Sequence, residues 1–106
     1  MERACFLLQI KKGKLEDYLK AHKVVWPEML DAIRQAGIRN YSMFYKEDGL
    51  LVGYLEAENV QESLSKVAAT DVSRRWEERM SPFFEDTPKD GQERGYYWLK
   101  HYFFTP

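Results

Sequence analysis

The chain has 106 residues, 44% hydrophobic and 31% charged, and its 16 basic and 17 acidic side chains leave a net charge of −1. So even a balance gives no electrostatic footprint for nucleic acid or an anionic membrane, and neither partner is expected. The length suits one domain over residues 1–106, able to bury about 65% of its unfolded surface.

The first element is the β-rich run "RACFLLQI", which ends at "KKGK", where Gly13 among lysines marks a turn. The apolar part of this run is too short to span a membrane and carries no signal-peptide cleavage pattern, so a cytoplasmic protein is expected. Its Cys5 is the one cysteine in the chain. It can form no internal disulfide and reads as an ordinary buried thiol in a reducing compartment. A helix is predicted from Lys14 to Lys23. Pro27 disfavours helical geometry at Trp26, so the helix breaks there and restarts with Pro27 at its first position. Met29, Leu30 and Ile33 give the second piece its apolar face, and Gly37 closes it.

"IRNYSMFY" and "LLVGYLEAE" flank "KEDG", whose Asp48-Gly49 pair signals a hairpin between strands two and three. "NVQESLSKVAATDVSRRWEERM" reads as helix with a hitch at Thr70-Asp71, where a new N-cap can form. The segment "SPFFEDTPKDGQERG" is predicted to be a loop, and the aromatic run "YYWLKHYFF" to be strand four. The order β-α-β-β-α-β is the ferredoxin-like α+β motif, an antiparallel sheet with its helices on one face. Strand four would carry Tyr96, Trp98, Tyr102 and Phe104 on one side and Tyr97, Leu99, His101 and Phe103 on the other. Both sheet faces would then be apolar, and covering the second predicts a homodimer, a dimeric α+β barrel.

Phosphate-cradle, zinc-ligand and serine-nucleophile signatures are all absent from the sequence. What remains is His22. On a 3.6-residue repeat it shares a stripe with Leu15, Tyr18 and Leu19, which turns its imidazole inward. Such a histidine is either a core residue satisfied by a backbone carbonyl or a pocket acid/base, since its reference pKa of about 6.5 permits proton exchange near neutrality. The aromatic share, 15% of the chain as 3 Trp, 7 Tyr and 6 Phe, supplies a core, an interface and rings with polar tips for a ligand. Trp76 also has two readings, because Val72, Trp76 and Met80 repeat as a helix core face does.

The stretches "YLKAHKVVWPEM", "GIRNYSMF", "ATDVSRRW" and "FFTP" together resemble the L-rhamnose mutarotase family, collinearly from strand one to the C-terminus. The resemblance implies a dimeric ferredoxin-like enzyme that interconverts the α and β anomers of L-rhamnose without metal or cofactor. It implies that His22 is the catalytic proton donor and that Tyr18, Tyr41 and Trp76 contact the sugar. The chain departs from the family pattern at Lys23, where Asn follows the histidine, and at Glu77, where a second tryptophan follows the first. Two other readings fit the same fold: a cofactor-free monooxygenase of the dimeric α+β barrel type, and a small-ligand binding protein in which His22 only hydrogen-bonds its ligand.

Overall fold

Alternation at Phe6, Leu8 and Ile10 makes the first segment a strand with one buried side. In the computed structural model, which describes residues 1–85 and 96–106, β1 (Glu2–Gln9) buries Phe6 and Leu8 and keeps Cys5 and Leu7 half-exposed on the other side. Cys5 is thus a partly accessible thiol of the outer sheet face and not a core residue.

The helix α1 (Leu15–His22) follows, and the chain breaks where Pro27 demands it. Trp26 is extended, with ψ of 137°, and α2 (Pro27–Gln35) starts with the proline in its first turn. Gly37 takes a φ of 92° past the helix end. There its N–H donates to Arg34 O and that of Ile38 to Ile33 O, the paired bonds of a Schellman closure.

The hairpin joins β2 (Arg39–Tyr45) to β3 (Leu50–Ala57). Only Gly49 in this turn has positive φ, and its N–H donates to Lys46 O, so the Asp-Gly pair serves a longer turn closed by a left-handed glycine. The second helical stretch divides as the hitch predicts, into α3 (Val60–Ala68) and α4 (Asp71–Met80). Asn59 caps the first by accepting from the Glu62 N–H, and Thr70 caps the second by accepting from the Ser73 N–H.

The four strands lie in the order β2-β3-β1-β4, all neighbours antiparallel, with the helices against one face. This is the ferredoxin-like α+β fold. Two expectations need correction. Strand four was expected over "YYWLKHYFF", but β4 is only Tyr97–Trp98, prolonged by one bond from Leu99 N to Cys5 O. Beyond it Tyr102, Phe103 and Phe104 are exposed, with the Arg3 guanidinium 3.5 Å over the Phe104 ring. Aromatic content made this run look like strand, but among the described residues no strand pairs with it beyond Leu99. The loop expected after α4 is also partly ordered: Ser81–Phe83 form a 3₁₀ turn, and Phe84 bridges to Ile10. The rest of that predicted loop, 86–95, lies outside the described residues.

At the centre of the sheet Gly53 faces Phe6 of β1 and Met43 of β2. A Cβ on Gly53 would run into the Phe6 ring itself, so glycine here lets the ring lie over the strand. Gly53→Ala should therefore displace Phe6 and destabilise the fold by about 1–3 kcal/mol. A lower denaturation midpoint with an unchanged slope would show this, and an unchanged midpoint would contradict it.

Candidate active site

Helical spacing alone brings Tyr18 beside His22, four residues on, and their rings lie 5.5 Å apart, tilted by 37°. Tyr18 is buried, with Phe83 at 6.1 Å and Phe84 at 5.5 Å meeting its ring edge-on. Those two phenylalanines are held by the end of β1 and the residues after it, through bonds from Lys11 N to Phe83 O and from Glu85 N to Gln9 O. The His22 ring is half-buried, and Trp76 of α4 meets it edge-on at 5.8 Å. Trp76 is in turn edge-on to Trp26 at 5.0 Å, and only 8% of it is exposed. It backs the imidazole as part of the core, which accounts for its spacing with Val72 and Met80.

Tyr41 arrives from the sheet. Between Arg39 and Ser42 the β2–β3 register shifts, with Asn40 at a φ of 51°, so two β2 residues oppose one on β3. The bulge lets the Asn40 side chain donate to Glu56 on the outer face while Tyr41 meets Phe6 at 6.4 Å on the helix side. Asn tolerates this left-handed backbone better than most residues.

A hollow of about 280 Å³ opens between α1 and the β2 edge, lined by Tyr18, Leu19, His22 and Lys23 on one side and Met43, Phe44, Tyr45 and Leu51 on the other. The structure thus brings Tyr18 and His22 into one concavity, with Lys23 on its rim. Trp76 stands behind the imidazole and does not line the hollow.

The electrostatics are set by burial. Desolvation holds the His22 pKa below its ordinary 6.5, partly opposed by a backbone hydrogen bond, so the imidazole is neutral at pH 7. Burial pushes the Tyr18 phenol up to about 12, with Tyr96 adding to the rise. Burial also raises Tyr41, with Tyr96 and then Tyr18 adding to it. All these phenols stay protonated at neutral pH and can both donate and accept hydrogen bonds.

Sequence reading did not single out Phe6 or Tyr96, whose rings stack at 4.9 Å. Periodicity marks Phe6 only as core, and nothing local reveals that Tyr96 returns to the same ring. Glu77 accepts a long bond, 3.4 Å, from the Ser73 hydroxyl of its own helix. Among the described residues no group of three or more His, Cys, Asp or Glu is placed to hold a metal ion.

The fold and this arrangement define a ferredoxin-like α+β protein with a histidine and a buried phenol in a hollow between helix and sheet. The L-rhamnose mutarotase FA22100 from Formosa agariphila shares the fold over the full length of both chains, with a TM-score of 0.78 at 19% identity. An antibiotic biosynthesis monooxygenase shares it at 0.63 and 17%, over 96% of this chain and 99% of that one. The sequence decides between them. The family described as L-rhamnose mutarotase matches residues 3–103. The L-rhamnose mutarotase of Bacillus subtilis is 36% identical over 86 residues, 80% of this chain and 82% of that protein. That of Oceanobacillus iheyensis is 34% identical over 91 residues, 85% and 86% of the two chains. The chain belongs to the L-rhamnose mutarotase family.

The lowered His22 pKa has a signed consequence for stability. The unfolded chain takes up this proton near pH 6.5 and the folded one only lower, so the unfolded state binds more protons in that window and stability rises with pH there. The contribution is complete above about 6.5 and is lost as pH falls toward the folded value. Between about pH 7 and pH 5 the melting temperature of the wild type should fall more steeply than that of His22→Gln. Parallel melting profiles would contradict it.

Proposed function

We propose that this chain, as one domain over residues 1–106, interconverts the α and β anomers of L-rhamnose, with His22 moving the proton, Tyr18 and Tyr41 contacting the sugar, and Trp76, which the family resemblance also assigns to the sugar, backing the imidazole from the core. One observation carries the reading: a neutral imidazole beside a buried phenol, their rings 5.5 Å apart, in a hollow of the fold, in a chain of this family.

Anomer exchange breaks and remakes one bond. The proton leaves O1, the C1–O5 bond opens as O5 gains a proton, the free aldehyde rotates about C1–C2, and reclosure from the other face reverses the proton transfers. No electron is gained or lost. A neutral His22 can take the O1 proton and, as imidazolium, return it to O5, because both oxygens are bonded to C1. The burial that lowers its pKa supports both steps, keeping the base free at pH 7 and making the charged form a stronger acid. Tyr18, one turn before it, orients the imidazole or a sugar hydroxyl.

Such a positioned acid/base contributes about 10²–10⁴-fold, roughly 3–5 kcal/mol of the barrier. His22→Ala should therefore keep the fold and lower the exchange rate, measured by saturation transfer on L-rhamnose, by about 10²-fold or more. Tyr18→Phe should lose less, since it leaves the acid/base in place. Glu77→Gln should be near normal, because Glu77 is engaged by Ser73. Normal exchange in His22→Ala with loss in Glu77→Gln would move the catalytic role to the carboxylate.

The working form we propose is a cytoplasmic homodimer. A free Cys5 fits a reducing compartment. The sheet face away from the helices carries Leu7, Phe44, Val52, Tyr54 and Tyr97, with Phe44 62% and Tyr97 50% exposed. A second sheet packed on that face would cover them. Light scattering should give the mass of two chains at micromolar concentration, and a stable monomer would overturn the assembly.

A further inference from the structure

We propose that the hollow also takes sugars that carry a carboxylate on C5, with the Lys23 ammonium as the group that recognises it; the inference rests on the mutarotase reading and extends it from a 6-deoxy sugar to 6-carboxylated aldopyranoses. Lys23 is the single lysine in the lining of the hollow, and no arginine or carboxylate stands beside it there. Lys20, Lys46 and Lys66 are each paired with an acidic side chain. Among the described residues no such pair engages Lys23. A cation left to water at the rim of a site attracts and orients an anionic ligand.

The depths of the lining residues give the hollow a direction. Tyr18 and Leu51, 4% and 1% exposed, form its floor, His22 is half-buried in its wall, and Lys23 and Tyr45 are exposed at its mouth. Tyr45 pairs with Leu51 across β2 and β3, two residues after Met43, so it stands on the helix side of the sheet. Lys23 follows His22 directly and keeps helical backbone at the end of α1, so its four-carbon stem starts beside the imidazole. The pyranose ring brings its C5 substituent to the same place. His22 serves O1 and O5, and O5 is bonded to C5, so the exocyclic group lies next to an oxygen that His22 protonates. A methyl there needs only apolar contact, which Leu19, Met43 and Leu51 supply. A carboxylate needs a cation and a hydrogen-bond donor, which Lys23 and the Tyr45 hydroxyl supply. One ammonium balances one carboxylate, whereas a phosphate would keep further charge unpaired.

L-Rhamnose, L-mannose and L-mannuronate differ only in that group, which is methyl, hydroxymethyl or carboxylate. Their anomer exchange is followed by saturation transfer with the wild type, with Lys23→Met, which keeps most of the stem and drops the charge, and with Lys23→Arg, which keeps the charge. The wild type should accelerate L-mannuronate with a kcat/KM at least equal to that for L-mannose, and added salt should lower the value for the carboxylate sugar selectively. In Lys23→Met the ratio of the two values should fall about 2- to 5-fold, mostly through KM, the size of an exposed ion pair. Lys23→Arg should restore it. No acceleration of L-mannuronate, or a ratio unchanged in Lys23→Met whether or not the melting temperature falls, would confine Lys23 to the end of α1 and overturn the proposal. A wild type that does not accelerate exchange of L-rhamnose would instead overturn the mutarotase reading.

Discussion

Phe6 lying over Gly53 is the contact on which the rest of the site depends. Phe6 is 1% exposed, at the middle of the sheet, and its ring is the surface that Tyr41, Tyr96 and Trp98 all meet. A glycine within a strand ordinarily weakens it, since it adds backbone entropy and packs no side chain. Here that loss is offset by room for an aromatic floor broad enough to receive rings from β2 and from the chain entering β4. Tyr96 and Trp98, which belong to a very short strand, are held to the sheet as much by this ring as by backbone bonds.

Above that floor the chemistry is set by what surrounds His22. Its ring neighbours are Tyr18 and Trp76, and burial is the first cause of its lowered pKa. An imidazole beside a carboxylate would be held charged and would lack a free base at neutral pH; one walled by aromatic rings stays neutral and gives up a borrowed proton readily. The tyrosines are shifted in the complementary sense, remaining protonated hydrogen-bonding groups. The anomer exchange proposed above already proceeds in water and only relocates protons, so it asks little more of a site than such groups can supply.

The shared fold does not choose the chemistry. A mutarotase and a monooxygenase have the same layers of helix and sheet at 19% and 17% identity to this chain. What differs between such proteins is which side chains the sheet and α1 present to the space between them. In this chain the hollow is lined by one histidine, one lysine, the phenols of Tyr18 and Tyr45, and the apolar Leu19, Met43, Phe44 and Leu51.

The local signals in the sequence were sufficient for the elements and their order. Pro27 started a helix, Gly37 and Gly49 took left-handed backbone, and Asn59 and Thr70 capped, because each acts within a few residues through its own backbone geometry or hydrogen bond. Helical periodicity likewise placed His22 with Tyr18, since residues four apart meet in any α-helix. The mutarotase motifs were legible for the same reason, as short patterns of neighbouring residues. The length of β4 was not, because a strand exists only where another strand's edge is present to pair with it, and "YYWLKHYFF" has strand composition whether or not it has a partner. Nor could the sequence show that Tyr96, Tyr41 and Phe6 meet. They are far apart in the chain, and only the register of four strands, the bulge at Asn40 and the absent side chain of Gly53 bring their rings together. Burial decided the rest: the proton affinity of an imidazole depends on what excludes water from it, and that is a property of the packed structure alone.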